Sequence, residues 1–507
     1  MSNRFYLTTT LPYVNADPHI GFALEIVQAD CLARWHRRMG DDVVFNTGTD
    51  EHGQKIWKKA QEANMEPKAY CDGYAERFHG LKDALHLTYT HFIRTTDEPH
   101  VAAAQEFWRR CKEKGDIYKK EYKVKYCVGC ELEKTDSDLV DGTCPIHPNR
   151  EIELIEEENY FFRFSHYQEP LLKLYQESSD FVIPDQRFNE IKTFVKGGLH
   201  DFSVSRLAVK MPWGIPVPDD PEHVMYVWFD ALVNYISTLG WPKENSSYKD
   251  FWPGVQVAGK DNLRQQSAMW QAMLLSAGLP PSRQIFIHGF ITANGQKMSK
   301  SVGNVVHPYD LVSKHGTDAV RAYLLGGIPS YEDGDFTEEA FEAFYVSRLA
   351  NGIGNVTARV LAMIQKYCDG KAPEKSEDPF DTAAFWKKED AALSAYRFDE
   401  AMKVIDALAG SFDRRIEETK PWEMAKEGRD VKPLLYQLAE GIRHLALACL
   451  PMIPSSAEKM LVSLGIDPSG LGPYESVRVW GGWEPGTAVR KGEPLFPRKE
   501  KTEAVGK

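Results

Sequence analysis

The chain has no long apolar run. Its most hydrophobic stretch, residues 445–450, is much shorter than the roughly 20 residues a span requires, so no membrane contact is expected. Its start, Met1-Ser2-Asn3-Arg4-Phe5, runs straight into strand-like sequence with no charged segment and apolar stretch of the secretory kind. A cytoplasmic protein is the expectation. Basic charge is in deficit: 61 Lys and Arg stand against 73 Asp and Glu, a formal net charge of -12. That excludes a protein that coats nucleic acid non-specifically, but leaves room for a local basic surface. Cysteine is scarce at eight residues, three of them between 127 and 144. The scatter of the other five argues against a disulfide framework and for a metal site. With 507 residues the chain is too long for one hydrophobic core, and three or four domains are expected.

What is present is, first, an alternation. Residues 5–9 read as a buried strand, ended by Pro12. From 20 to 39, Leu24, Val27, Leu32 and Trp35 recur at helical spacing, and Gly40 is a stop signal. Val43-Val44-Phe45 reads as the next strand and 54–64 as the next helix. This order indicates a parallel α/β sheet, which binds ligands at the carboxyl ends of its strands. His19-Ile20-Gly21 lies at one such end. A helix start presents N–H groups to an anion, Gly21 allows close approach, and His19 can donate to a phosphate oxygen. By itself the histidine is better explained as a helix-capping or core residue. Far downstream an apolar run at 285–291 is broken by Asn294-Gly295, followed by Gln296-Lys297-Met298-Ser299-Lys300-Ser301. Two lysines three apart can fold over a polyphosphate; alone they also describe a solvated hairpin tip.

Cys127-Val128-Gly129-Cys130 and Cys144-Pro145-Ile146-His147 form two knuckles. Three thiolates and an imidazole suit tetrahedral Zn²⁺, and four protein ligands leave no open position, so a structural role is expected. Other ions that favour soft ligands remain possible. The surrounding region reads as charged and poor in strands. Residues 225–232 read as a strand running into a helix, and 255–257 as a strand ending at Gly259-Lys260-Asp261. Ala268-Met269-Trp270 belongs to a helix closing near Gly278. From 338 to 458 the chain reads as helical apart from 369–378, which suggests an antiparallel bundle.

Pro18-His19-Ile20-Gly21-Phe22 and Lys297-Met298-Ser299-Lys300-Ser301, in that order, resemble the paired HIGH-type and KMSKS signatures of class I aminoacyl-tRNA synthetases. The second match is complete. In the first, Phe22 replaces the last histidine and cannot make its polar contact. The details resemble methionyl-tRNA synthetases with a single zinc knuckle, over nearly the whole chain. The short insertion, without the large editing domain of the isoleucine, valine and leucine enzymes, favours methionine.

The resemblance implies a Rossmann-type parallel-sheet catalytic domain (1–115 and 226–277), split by a zinc-bearing connective insertion (116–225). A KMSKS-bearing region (278–345) and a helical-bundle anticodon-binding domain with a short tail (346–507) follow. It implies ATP, carried with Mg²⁺, bound by His19, Gly21, Gly259, Asp261, Lys297, Met298, Ser299 and Lys300. It places the methionine α-ammonium on Asp50, and Arg206 on ATP phosphate or the substrate carboxylate. The side-chain slot would be lined by Leu11, Tyr13, Trp228, Ala231, Leu232, Tyr235, Gln266 and Trp270, with Gln266 and Asn262 departing from frequent family residues. Asn355 and Arg359, four apart on one helix face, and Trp422 would read the anticodon. The expected partners are ATP, L-methionine and tRNA(Met), and the expected state is a monomer. The alternatives are another class I synthetase, or a catalytically silent tRNA-binding paralogue.

Overall fold

Six short segments of β-branched and aromatic residues assemble into one sheet whose spatial order is not the chain order. The computed structural model describes residues 3–130, 132–298 and 303–498. Across the sheet the strands run His91–Arg94, Asp42–Thr49, Arg4–Thr9, Val255–Gly259, Gln284–His288 and Val182–Ile183. All neighbours are parallel. Arg4–Thr9 has the next strand of the chain on one side and a strand about 250 residues later on the other. The order therefore reverses between Arg4–Thr9 and Val255–Gly259, which leaves a crevice at their carboxyl ends.

The helix Ile20–Met39 follows the first strand. His19 caps its start, and Gly40 ends it at φ 94, returning its N–H to Arg37 and His36. Positive φ favours glycine there. His36, Arg37 and Arg38 in the last turn suit the negative end of the dipole.

The knuckle region is not poor in strands. Ile117–Cys127 and Glu153–Phe162 pair antiparallel over ten residues, flanked by Leu132–Lys134 and Phe202–Ser203. Among the described residues, ion pairs run diagonally and outward: Lys119 reaches Glu158 at 3.5 Å and Asp220 at 2.8 Å, and Lys210 reaches Glu157 at 2.8 Å. The many charged residues of both strands mask the polar–apolar alternation that runs from Glu121 to Tyr126. The chain then returns to the main sheet, where Val182–Ile183 becomes the edge strand.

Beyond the sheet, Thr317–Gly326 begins a mainly helical region that includes Asn355–Tyr367, Phe398–Thr419 and Lys432–Cys449. This region shares one hydrophobic core with the first half of the sheet. Arg321, fully buried, spans the junction. It pairs with Asp30 at 2.8 Å and donates to the carbonyls of Leu85, Pro451 and Met452 at 2.8–3.0 Å.

Near that junction Glu389 lies buried, 3.0 Å from Arg478. Burial raises its carboxyl to about 8, against the lowering effect of Arg478. A carboxyl raised above its unfolded value of 4.5 contributes stability that is full below that value and is lost as pH climbs through about 8. We therefore expect urea-unfolding stability to fall between those limits, and Glu389→Gln to flatten the slope. An unchanged slope in the variant would exclude Glu389 as its source.

Candidate active site

The crevice is lined by chain segments remote in sequence. Ile20 N–H donates to Val306 O at 2.9 Å, His307 Nδ1 lies 3.4 Å from Pro18 O, and a Cβ on Gly21 would lie 3.5 Å from Ile291. The segment carrying His19 and the two ends of the lysine loop therefore meet. The loop leaves Ile291–Ala293 through Asn294 (φ 54) and Gly295 (φ 72), with Ala293 and Gln296 exchanging backbone hydrogen bonds at 2.9 and 3.2 Å. Two consecutive left-handed residues are the hairpin geometry that Asn-Gly favours. Lys297 is exposed, 5.9 Å from the ring centre of Phe290, and Met298 packs on the core. Ser299 and Lys300 lie outside the described residues.

His19 Nδ1 accepts from the Gly21 N–H at 3.0 Å. Enclosure by surrounding protein lowers its pKa, and His307 adds to this, although the ring keeps an open face. A neutral ring that accepts at Nδ1 carries its proton on Nε2. Gly21 is required because a Cβ there would lie 2.9 Å from the capping ring. Phe22 turns to Phe78, ring centres 5.2 Å apart and edge-on.

The polar hub of the crevice is Glu25, which sequence reasoning missed. One carboxylate oxygen accepts from Thr10 N–H and Oγ at 2.8 and 2.6 Å. The other accepts from Gly259 N–H at 3.1 Å and faces His288 Nε2 at 3.0 Å. It thus ties together the ends of three strands. Burial alone would lower His288, but the bond and charge of Glu25 raise it. Asp261 follows Gly259 and opens on the same space. Enclosure raises its carboxyl, Glu25 adds to this, and His288 and Lys297 oppose it. Asn262 donates to Asp261 at 3.2 Å, which orients the acid.

Asp50 is buried where Asp42–Thr49 ends, in a backbone bridge with Tyr13. Trp228 and Ala231 lie on the short helix Val227–Ala231, and Leu232 and Tyr235 follow. Tyr235 and Trp270 meet edge-on with ring centres 5.9 Å apart, and Trp270 in turn stacks on Phe107 at 5.5 Å. Trp270 is fully buried and forms the rear of the wall. Gln266 is also fully buried. It donates to Tyr235 Oη at 2.8 Å and accepts from Gln256 at 3.0 Å, while Gln256 accepts from Ser282 at 2.7 Å. This amide chain fixes Tyr235. No sequence pattern singles out Gln256 or Ser282. Leu11 and Tyr13, both half-buried, lie on the turn after the first strand.

Arg206 is buried, its guanidinium between the rings of Tyr126 (5.1 Å) and Tyr226 (4.8 Å), and it donates to Ser203 Oγ and Ser205 O. A cavity of about 150 Å³ beside it is bordered by Gly53, Gln54 and Val227. It therefore sits between the insertion and the turn that carries Asp50.

The donor atoms of Cys127, Cys130, Cys144 and His147 all lie within 4.8 Å of one another. Cys130 Sγ is 3.4 Å from Cys144 Sγ and 3.3 Å from His147 Nδ1. Tetrahedral zinc, with bonds of about 2.0–2.3 Å, sets its donors about 3.5–3.8 Å apart. The residues fit a metal site of that kind. Gly129 is needed because a Cβ would come within 2.5 Å of the His147 ring.

In the helical region Asn355 is exposed and Arg359 half-buried on the same helix. Arg359 is held by Asp413 at 2.8 Å and Glu417 at 2.6 Å. Those acids lie near the end of Phe398–Thr419, and Pro421–Lys426, with half-buried Trp422, begins two residues later.

The profile described as tRNA synthetases class I (M) matches residues 5–153 and 148–361. The methionine–tRNA ligase of Thermotoga maritima is 43% identical over 511 residues, covering 98% of this chain and 80% of its own. The chain belongs to the methionine–tRNA ligase family. The Thermosynechococcus vestitus ligase is 41% identical over 523 residues, covering 98% of both chains. The solved Mycobacterium tuberculosis methionyl-tRNA synthetase in complex with methionyl-adenylate matches with a TM-score of 0.92 at 37% identity, over 98% of this chain and all of that one. Among the described residues of this ligase-family chain, no helix is long and apolar enough to cross a membrane.

Proposed function

We infer that the crevice activates methionine with Mg-ATP and passes it to tRNA(Met), and that its residues divide the work. Methionine carboxylate attacks the α-phosphate in line, the bond to the leaving pyrophosphate breaks, and methionyl-adenylate forms. The terminal ribose hydroxyl of tRNA then attacks the acyl carbon and AMP leaves. No protein nucleophile is needed; positioning and charge stabilisation suffice. His19 donates from Nε2 to a phosphate oxygen, with Gly21 allowing the approach. Lys297 and Lys300 neutralise the leaving pyrophosphate, and Met298 and Ser299 shape that loop. Gly259 and Asp261 hold the ribose. Asp50 binds the α-ammonium, and Arg206 binds a phosphate or the substrate carboxylate.

Leu11, Tyr13, Trp228, Ala231, Leu232 and Tyr235 enclose the thioether, backed by Gln266 and Trp270. Sulfur–aromatic contacts contribute about 0.3–1.5 kcal/mol each. The observation that carries this reading is the meeting of the His19 segment with both ends of the lysine loop at the strand-order reversal. ATP–pyrophosphate exchange with each amino acid singly, without tRNA, tests it. Exchange that depends on methionine alone is expected. Its absence in folded, metal-loaded protein would leave a tRNA-binding role.

The knuckles hold one structural zinc. Metal analysis is expected to give about one zinc per chain, and Cys130→Ser to lower it with methionine KM nearly unchanged. A large rise in methionine KM would place the metal at the substrate instead. Trp422 stacks on an anticodon base, with Asn355 and Arg359 at base edges. Trp422→Ala should weaken aminoacylation of tRNA by about 1–3 kcal/mol and leave pyrophosphate exchange intact; equal losses in both assays would contradict this. The protein is taken to act as a cytoplasmic monomer. The domains follow the segments 1–115, 116–225, 226–277, 278–345 and 346–507, with Val182–Ile183 lent back to the catalytic sheet.

A further inference from the structure

Two parts of the proposed methionine site come from distant segments. The turn 50–53 supplies Asp50, and the helix Val227–Ala231 supplies Trp228 and Ala231. Main-chain pairing within the sheet does not set the distance between them, because that helix lies off the strands. A side-chain contact joins them. His52, two residues after Asp50, places Nδ1 3.1 Å from Asp230 Oδ2. Asp230 lies between Trp228 and Ala231 along the chain. Its other oxygen is 3.7 Å from His100 Nε2, and His100 Nδ1 is 2.9 Å from Ser237 Oγ. All three titratable groups are buried.

A buried carboxylate is costly unless it is paired. Burial would raise the Asp230 carboxyl, yet His52 and His100 together hold it below its ordinary range. The charge is retained, and the geometry around it is fully enclosed. The His52 ring also lies against Trp213, ring centres 5.5 Å apart, and Trp213 donates to the Glu51 carbonyl at 2.5 Å. The turn is thus held from two sides. A contact of this kind transmits position: a shift of the helix moves His52 and, with it, the backbone that carries Asp50.

We propose that the His52–Asp230 pair is a positioning brace that sets the spacing between the α-ammonium site at Asp50 and the side-chain wall at Trp228 and Ala231, and so selects amino-acid length. Neither residue touches substrate. The inference rests on the methionine-activation reading above. Its chemistry concerns only amino-acid binding, so the ribose site proposed at Gly259 and Asp261, on the other side of the first strand, is left alone.

The test is ATP–pyrophosphate exchange by His52→Gln, Asp230→Asn and the double variant. Methionine and two analogues, one methylene shorter and one longer on the thioether, are supplied as substrates. Each single variant is expected to raise methionine KM about tenfold, with ATP KM within about twofold of wild type and kcat little changed. Discrimination against the longer and shorter analogues should narrow. The double variant should lose little more than either single one, because contacting residues are non-additive. Additive losses, an unchanged methionine KM, or equal effects on ATP and methionine KM would each overturn the brace.

Ser237→Ala supplies a second arm. It removes the far-side contact of His100 together with a long bond to the Asn234 carbonyl (3.5 Å), and is expected to leave analogue discrimination unchanged. If it narrows discrimination as much as His52→Gln does, the cluster is merely structural. Failure of wild-type protein to exchange with methionine would instead remove the reading on which the brace depends, and is seen before any variant is made.

Discussion

Replacing Lys297 with alanine is expected to slow methionyl-adenylate formation by about 100- to 1,000-fold, the usual effect of removing one donor aimed at developing charge. The lysine is exposed at the mouth of the crevice, and its charge reaches Asp261. It is not needed for packing, so the variant should fold as wild type does. The reading gives ATP several other binding groups, so KM for ATP should change much less than the rate. Single-turnover adenylate formation makes the measurement. Lys297→Arg keeps the charge with a different shape and should recover part of the loss. A rate within about fivefold of wild type for Lys297→Ala would remove this residue from phosphate stabilisation. Lys300→Ala is expected to behave similarly.

The second large effect is expected at Asp50. Asp50→Asn removes the charge proposed to face the α-ammonium and should raise methionine KM by about 30- to 1,000-fold, equivalent to about 2–4 kcal/mol for a charged partner at a buried contact. ATP KM should stay within a few-fold. The two predictions divide the reaction between them: Lys297 mainly changes the chemical step, and Asp50 mainly changes amino-acid binding. Exchange rates over a grid of methionine and ATP concentrations separate them. A fall in kcat alone for Asp50→Asn would mean that the carboxylate does not hold the substrate amine. In that case Arg206, beside the same turn, would be the next group to test.

The parts of the fold that were legible share a physical cause. Strands such as Val255–Gly259 and helices such as Ile20–Met39 are buried, and burial leaves a periodic apolar signature. Asn294-Gly295 signalled its turn because two left-handed residues in succession admit few residue types. The ribbon Ile117–Cys127 with Glu153–Phe162 was missed because its many charged residues obscured the polar–apolar alternation from Glu121 to Tyr126. Gln266 was legible as a departure at one position. That it props Tyr235 through Gln256 was not, because both are single polar residues within apolar surroundings.

The amino-acid sequence by itself determined which chemical groups are available. Two lysines lie in a turn-bounded loop, a capping histidine stands before a glycine, four metal donors occupy two knuckles, and one helix start follows a strand. Each is a local property, dictated by residue type and near neighbours. Only the tertiary structure decided what Glu25, Asp230 and Arg321 do. Glu25 looks like any polar residue on a helix until Thr10, Gly259 and His288 close around it. Asp230 is unremarked until His52 and His100 arrive from other elements, and Arg321 until Asp30 and the Pro451 carbonyl do. A buried charge is tolerated only where partners converge on it, and those partners are as far apart along the chain as Asp30 and Arg321. No local pattern can encode contacts at that separation. They exist only once the parallel sheet has brought the strand ends together.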